Sequence, residues 1–515
     1  MPCVTHWNST SQNRNGLHKE RNWGETVLTI EQIKRFMDVD AASQEKQDAK
    51  TGWQYYQGHH DIEERKIYFV DNEDKMQEDH IKSNIRISHP FHREMTDQVV
   101  QYILCGEESY IRSDIPELQS ELDNRFNYNE NFTAELYKML TGVVAKGWDY
   151  MYAHKTKEGI TEFAHADSLG VVEVKAKETA DQCDYLIYYY DEQVQDKTVT
   201  RIQVWDANQV TFFCRVNGGE IELDETEKLN PRPHVLHNKG DKVFTNEESK
   251  YGQIPFICME NFPTKRSDLF YYKDLIDDYD LMNCDLSNNL QDTIETPYIL
   301  TGFGGDKEDL DKLMLNFRAK KAMGIPDCGD VKTPTVNIPY DARKVKMEID
   351  KENIYHAGQG LNTEGLKDTA ATTSVAIKSA YFQLDSRAVK VKISLRQFLR
   401  KLLKMVLPEI NKALNKDYQQ KDIYFVFEPV LPTNELEKAQ IELAKAQTKQ
   451  TNINTYLNIA DRLDNETLMK NILEELELDY NEIKGKLPNP DELSPYEAQL
   501  AAVVPEDENA GDLIE

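Results

Sequence analysis

The strongest constraint on the fold is one long amphipathic segment that begins near Ser374 and runs to Leu407. Apolar residues recur in it at intervals close to a strict heptad, which predicts one continuous helix. Thr373 or Ser374 can cap its start, and Pro408 is expected to mark its end. The apolar stripe is longer than a single partner helix needs. It consists of Ile377, Tyr381, Leu384, Ala388, Val391, Leu395, Phe398, Leu402 and Val406.

The same segment is a basic element in an acidic chain. The chain holds 61 Lys and Arg against 90 Asp and Glu, a formal net charge of −29. That balance argues against a protein that holds nucleic acid on a broad basic face. The segment contains eight bases and a single acid, Asp385, so its bases either pack against an acidic neighbour or contact a polyanion. Both interpretations stay open. The bases are Lys378, Arg387, Lys390, Lys392, Arg396, Arg400, Lys401 and Lys404.

Length and composition predict a soluble chain of several domains. Its 515 residues exceed one compact core, and 39% apolar residues suffice to bury several; roughly three domains are expected. The seven cysteines are scattered and contain no C-x-x-C pair, which favours free thiols over disulfides or a zinc site. No apolar run approaches the ~18 residues of a membrane span, so no membrane association is expected.

The hydrophobic period changes along the first half of the chain. Residues 1–25 are polar and are expected to form a loose arm. Residues 161–223 hold β-branched and aromatic runs, and Asn217-Gly218-Gly219 is typical of a hairpin turn, which predicts an antiparallel β region. Helical stripes are found at Ile30–Met37, Arg93–Cys105 and Phe132–Ala145.

The second half is predicted to be mostly helical. A helix at Leu269–Thr293 ends before Pro297, and another at Asp341–His356 is stopped by Ala357-Gly-Gln-Gly360. Leu361–Thr373 has little apolar content and is expected to be a mobile loop. The apolar stripe of the first helix is Leu275, Tyr279, Met282, Leu286 and Leu290. Later helices are expected at Leu436–Lys449, Ile453–Leu463 and Glu466–Leu478.

Catalytic motifs are weak throughout the sequence. No phosphate-binding G-x-x-x-x-G-K-[ST] loop occurs. An acidic helix around Asp278 could supply ligands for a metal-dependent nuclease, but solvated acids are the favoured interpretation. The histidine pairs are better explained by structural or surface roles than by a metal site. These acids are Asp274, Asp277, Asp278 and Asp285, and the histidine pairs are His59/His60, His89/His92 and His234/His237.

A succession of spaced segments carries a family resemblance. They are Phe91–Gly106, Leu140–Tyr152 with Gly159, Gly252–Phe256 with Asn261, Leu275–Tyr279, Ser287–Leu290, Asn353–Tyr355 and Gly358–Gly360. In this order and spacing, over about residues 85 to 430, the chain resembles the portal proteins of long-tailed double-stranded DNA phages of Gram-positive bacteria. It departs from them at Thr373-Ser374, where family members often carry Ser-Gly.

The resemblance implies an α+β portal fold, assembled as a ring with an α/β wing, a helical stem, a small mixed α/β clip and a helical crown. The implied parts are a flexible arm (1–25), wing (26–264), stem helix (265–293), clip (294–340), second stem helix (341–356), tunnel loop (357–373), long basic helix with the rest of the wing (374–432), crown (433–490) and acidic tail (491–515).

The resemblance also implies the function and the residues that serve it. The ring, usually of twelve subunits, would stand at one capsid vertex of the virion as a channel for DNA packaging and ejection. It would dock the terminase large subunit and then a head-tail connector protein, and it would meet capsid and scaffolding proteins during assembly in the host cytoplasm. No enzyme activity, cofactor or metal is implied. The tunnel loop would present Gly358, Gly360, Asn362, Thr363, Lys367, Thr369, Thr372 and Thr373 to the channel. The basic helix would contribute Lys378, Arg387 and Lys390, and the clip docking surface Lys307, Glu308, Arg318 and Lys320.

The charge of the chain agrees with a conduit. Each phosphate that a Lys or Arg neutralises strengthens binding, so a basic bore would stall a sliding duplex. A mostly acidic wall, with small polar loop residues and Lys367 as the only base of the loop, suits weak contact.

Overall fold

A computed structural model describes most of residues 28–480. The gaps within that range are 71–73, 81, 105, 107–108, 157–158, 176–182, 236, 240–241, 245–250, 293–298, 302–307, 310–311, 313–329, 333–338, 364–373, 428–434, 477 and 479. The chain divides into two compact units. The first comprises Met1–Thr369 and Ser379–Val430, and the second comprises Ala370–Lys378 and Leu431–Glu515.

The described residues mix helices and small sheets, which is the predicted α+β class. The helices are α1 (Ile30–Ala41), α2 (Gln44–Gln57), α3 (Phe91–Leu104), α4 (Pro116–Leu122), α5 (Glu130–Lys146), α6 (Lys273–Asp292), α7 (Tyr340–Ala357), α8 (Ser374–Leu414), α9 (Glu435–Asn458) and α10 (Asn465–Glu475). Among these described helices, none is long and apolar enough to cross a membrane.

The strands pair antiparallel throughout the described part. They are β1 (Tyr68–Val70), β2 (Met76–Glu78), β3 (Ile111–Arg112), β4 (Trp148–Lys155), β5 (Thr161–Ala166), β6 (Val171–Val174), β7 (Tyr185–Val194), β8 (Lys197–Trp205), β9 (Gln209–Val216), β10 (Glu222–Leu223), β11 (Arg232–Pro233), β12 (His237–Lys239), β13 (Lys242–Phe244), β14 (Phe256–Glu260), β15 (Ile299–Thr301), β16 (Asp330–Lys332) and β17 (Tyr424–Phe425).

The largest sheet has the order β10-β9-β8-β7-β6, with β11 also on β9. The predicted hairpin is confirmed, because Asn217 (φ 48°) and Gly218 (φ 73°) turn the chain from β9 into β10. Helix α1 packs Ile33 and Met37 on one face of this sheet. Helix α2 and the smaller sheet, β14-β4-β5, supply the core on the other face, around Trp148.

The junction between α5 and β4 is built around a buried ion network. Lys146 Nζ lies 2.8 Å from Asp149 Oδ2 and 2.6 Å from Asp167 Oδ1. Burial alone would raise the pKa of Asp167, but the Lys146 ammonium outweighs it and lowers the pKa. Gly147 ends α5 with φ 102°, and Gly142 leaves room for the Asp149 carboxylate. Lys146 and Asp149 of this network lie in Leu140–Tyr152, one of the segments on which the family resemblance rests.

The stripe predicted for α8 is confirmed from Leu384 to Val406, where its residues are buried; Tyr381 is half-buried, and the side chain of Ile377 lies outside the described residues. The predicted end at Pro408 is wrong, since α8 continues through it to Leu414. The proline removes one backbone hydrogen bond, but Leu407 and Ile410 are buried on either side of it. Glu409 also holds this turn in place, bound by Arg125 and Lys155.

The second unit also departs from the prediction. Its residues 449–453 do not interrupt a helix, because α9 runs unbroken from Glu435 to Asn458. The polar residues of this stretch include no glycine or proline that would stop a helix. Helix α10 packs on α9, and Asn452 Nδ2 donates to Glu475 Oε1 at 3.1 Å.

The Gly142→Ala variant is expected to destabilise the chain by about 2 kcal/mol, because the new Cβ would overlap the Asp149 carboxylate. Thermal unfolding followed by circular dichroism measures the loss. The matched control, Gly219→Ala, sits in a hairpin with one backbone oxygen at 3.1 Å and should leave the midpoint nearly unchanged. Equal midpoints for the two variants would contradict this account of the junction.

Candidate functional site

Two long helices form the centre of the candidate site. Helix α6 packs against α7, and Lys346 on α7 bridges Asp278 on α6 and the buried Asp350. Ile354 and Tyr355 continue the contact into a cluster that also contains Phe91, Met95, Leu269, Tyr272 and Ile276. The predicted helices are thus observed, with bounds shifted by a few residues.

The buried face of α6 is not the predicted apolar stripe. Leu290 is 53% exposed, and Leu275, Tyr279, Met282 and Leu286 are half-buried. The buried residues are instead Ile276, Asp280, Cys284 and Asn288, one helical turn apart. Asp280, Cys284 and Asn288 can accept hydrogen bonds, so the buried face of α6 carries hydrogen-bond acceptors.

The acceptors serve the backbone of residues 83–89. Every second backbone N–H group from Ser83 to His89 donates to a side chain of α6, and these side chains are four residues apart on the helix. Two residues of an extended chain advance about 6.6 Å and four helical residues about 6 Å, so the two periods match. The bonds run from Ser83 N to Asp292 Oδ1 (3.1 Å), Ile85 N to Asn288 Oδ1 (2.7 Å), Ile87 N to Cys284 Sγ (3.2 Å) and His89 N to Asp280 Oδ1 (3.1 Å).

Asp280 also binds two of the singled-out histidines. His60 Nδ1 lies 2.6 Å from its Oδ2, and His89 Nδ1 lies 2.7 Å from its Oδ1. His92 Nδ1 instead lies 2.7 Å from the Tyr272 hydroxyl. These contacts agree with the structural role that the sequence favoured for the histidines. The row of short polar side chains at positions 280, 284, 288 and 292 was the signal that could have located this seam.

Three of the four singled-out acids of α6 are paired with bases, and the four do not converge on a metal site. Asp277 binds Lys273 and the Tyr55 hydroxyl, Asp278 binds Lys346, and Asp285 binds Arg65. Within the described residues, no group of three or more His, Cys, Asp or Glu side chains could hold a metal ion. These three carboxylates keep 31%, 38% and 29% of their side-chain surface exposed while they are paired, so they lie at a partly solvated surface as the favoured interpretation expects, and the nuclease alternative gains no support.

The root of the predicted tunnel loop is packed against α3. A Cβ on Gly360 would lie 2.8 Å from Met95 Cγ, and one on Gly358 would overlap the Met95 sulfur. Leu361 is buried; its N–H donates to Gln98 Oε1 at 2.9 Å, and Gln98 Nε2 donates to its carbonyl at 3.0 Å. The expectation of mobility from Leu361 onward is thus wrong at Leu361, because a side-chain amide holds its backbone on both sides.

The other loop and clip candidates are only partly within the described structure. Asn362 and Thr363 follow the anchored root and are described, and Glu308 is exposed. The remaining loop and clip candidates, Lys367, Thr369, Thr372, Thr373, Lys307, Arg318 and Lys320, lie outside the described residues.

Some bases of the basic helix bind partners within the chain, and others are exposed. Arg387 is buried, with Nε 2.7 Å from Asp268 Oδ2 and Nη2 2.8 Å from Asp268 Oδ1. Its Nη2 also donates to Asn261 Oδ1 at 2.6 Å. Lys390 donates to Gln359 at 3.0 Å, while Lys378 is exposed. For Arg387 the packing interpretation therefore holds and the polyanion interpretation does not.

Comparison with known proteins decides the family. The family described as "Phage portal protein, SPP1 Gp6-like" matches residues 38–482. This chain belongs to that portal protein family. A portal protein of Bacillus phage SPP1 is 24% identical over 351 residues, which are 68% of this chain and 67% of the relative. A portal protein of Clostridium phage phiCD119 is 24% identical over 436 residues, which are 80% of this chain and 89% of the relative.

Solved structures give a looser likeness. A chain from the "Neck of native GTA particle computed with C12 symmetry" has a TM-score of 0.36 and 12% identity, covering 76% of this chain and 90% of the other. The family match confirms the resemblance inferred from the sequence, the α+β class and the portal function class. Portal proteins are structural components of the virion.

Removing the buried guanidinium should destabilise this portal chain strongly. The Arg387→Ala variant leaves the Asp268 carboxylate buried without its partner, which costs about 3–5 kcal/mol. Lys390→Ala serves as the control, because among the described residues Lys390 bonds the neutral amide of Gln359, and its loss should cost less than about 1 kcal/mol. Thermal unfolding midpoints compare the two variants. A loss for Arg387→Ala no larger than the control's would mean that Asp268 is readily solvated.

His92 is expected to make the portal chain sensitive to acid. Burial lowers the pKa of His92 from 6.5 to about 4. Between these values the unfolded chain binds a proton that the folded chain does not, so stability falls as the pH falls, by about 2 kcal/mol from pH 7 to pH 5.

Urea unfolding at both pH values tests this. His92→Gln should show a smaller loss than the wild type between pH 7 and pH 5, and the exposed His59→Gln should show the same loss as the wild type. An unchanged loss in His92→Gln would refute the assignment.

Proposed function

We propose that this chain is the subunit of a ring-shaped portal at one capsid vertex, through which double-stranded DNA is packaged and later ejected. The observation that carries the proposal is the portal family match over residues 38–482. The ring would contain twelve subunits, assemble in the host cytoplasm and remain in the virion. The terminase large subunit, a head-tail connector protein, and capsid and scaffolding proteins would be its partners.

The proposed parts follow the described elements. Helices α6 and α7 suit the two stem helices, because they lie side by side and the chain between them, about residues 294–340, would be the clip. The wing would hold the two larger sheets and α1 to α5. The helices α9 and α10 of the second unit would form the crown.

The proposed gate is shorter than the sequence suggests. Leu361 and the glycines before it are held by α3, through Gln98 and Met95. The proposed tunnel loop therefore begins after Leu361 and runs to the start of α8; its residues 364–373 lie outside the described residues. Lys367 is the only base of this loop, which fits brief contact with a passing phosphate backbone.

The Lys367→Glu variant tests whether the chain forms rings and whether the tunnel loop affects DNA packaging. Negative-stain images should show rings with a central hole for the wild type and for Lys367→Glu, while the variant packages DNA less efficiently. Lys34→Glu, on the exposed side of α1 and outside both the loop and the proposed stem, is the charge-matched control and should package normally. A wild-type chain that stays monomeric or dimeric at all concentrations would overturn the portal proposal. Loss of rings in Lys367→Glu alone would show that the loop is a subunit contact.

A further inference from the structure

A row of exposed cations lies on the second half of α8. Arg396, Arg400, Lys401 and Lys404 are all exposed. Within the described part of the chain, no carboxylate pairs with any of these four side chains. Arg387, about two and a half to five turns earlier on the same helix, is by contrast buried and paired with Asp268.

The four cations form one stripe, which we call the α8 stripe. Arg396, Arg400 and Lys404 follow each other at one-turn intervals, about 6 Å apart along the axis, and Lys401 lies beside them. Both guanidinium groups of the stripe lie over aromatic rings. Arg396 lies 6.0 Å from the Phe427 ring centre, and Arg400 lies 5.4 Å from that of Phe425. These contacts restrain the arginines and lower the entropy that binding would cost.

The surroundings favour a polyanion over a protein partner. The exposed side chains between 396 and 404 are the four cations and Gln397, so the stripe lacks the apolar centre of a protein interface. Lys401 and Lys404 line a cavity of about 420 Å³ together with Glu173 and Glu260. Both carboxylates are already neutralised, Glu173 by Lys175 at 2.9 Å and Glu260 by Lys265 at 3.2 Å.

We propose that the α8 stripe binds the phosphate backbone of duplex DNA without regard to sequence. The proposal rests on the proposed portal function and adds a DNA contact separate from the tunnel loop. Its strength follows from counterion release, which lowers log K by about 0.9 per contact for each tenfold rise in salt. Four contacts per subunit give a slope of about −3.6, a binding that is weak and reversible at physiological salt.

Salt titrations with the full-length chain test the stripe. Fluorescence anisotropy with a short labelled duplex of arbitrary sequence gives K at several salt concentrations. Lys401→Gln combined with Lys404→Gln should reduce the magnitude of the slope by about 2 per subunit in contact. The matched control replaces two exposed lysines of α1 and α2, Lys34→Gln with Lys50→Gln, and should leave the slope unchanged.

A second variant guards against misfolding. Arg396→Lys combined with Arg400→Lys keeps both charges and should keep the slope, with circular dichroism confirming the fold of every variant. Equal slopes for the stripe and control variants, or no salt-dependent binding by the wild type, would overturn the inference. If neutralising the stripe blocked ring assembly and the wild-type chain did not bind duplex DNA, the stripe would be a protein contact. That result would also overturn the inference. Rings and packaging are measured separately, so these failures leave the portal proposal untouched.

Discussion

The fold depends on one buried ion pair, between Arg387 of α8 and Asp268 just before α6. A buried charge costs several kcal/mol unless it is paired and hydrogen-bonded, so this pair fixes where two helices meet. Asn261 completes the joint: its N–H donates to the Gly147 carbonyl at 2.8 Å, and its amide donates to Asp268 Oδ1 at 2.8 Å. The end of α5, the end of β14, the start of α6 and the middle of α8 therefore meet at one place.

A second constraint comes from backbone hydrogen bonds. Every second N–H group of residues 83–89 is partly buried against α6 and pairs with no described strand, and such N–H groups need acceptors. Helix α6 supplies them from Asp280, Cys284, Asn288 and Asp292, which turns its polar face inward. Its apolar residues are consequently left nearer the surface, as are Val345 (53% exposed) and Ile349 (48% exposed) on α7.

The electrostatics of the chain fit a conduit that touches DNA without holding it. Most of the described acids near the helix pair are neutralised locally, by Lys273, Lys346 and Arg65. The bases of α8 are divided by their neighbours: Arg387 serves the joint, and the α8 stripe remains exposed. A few contacts of this kind give weak attraction that salt can tune, whereas a continuous basic wall would bind a duplex tightly.

The sequence by itself determined the elements whose pattern is local. The heptad stripe of α8 and the Asn217-Gly218 hairpin depend on residues close together in the chain, and the portal resemblance depends on the order and spacing of segments along it, so each could be predicted. The sequence could not decide the end of α8, because packing around Pro408 outweighs the lost hydrogen bond. It also could not decide the inward face of α6 or the role of Arg387. Both depend on partners that are distant in the sequence, residues 83–89 for α6 and Asp268 for Arg387, and only the tertiary structure brings them together.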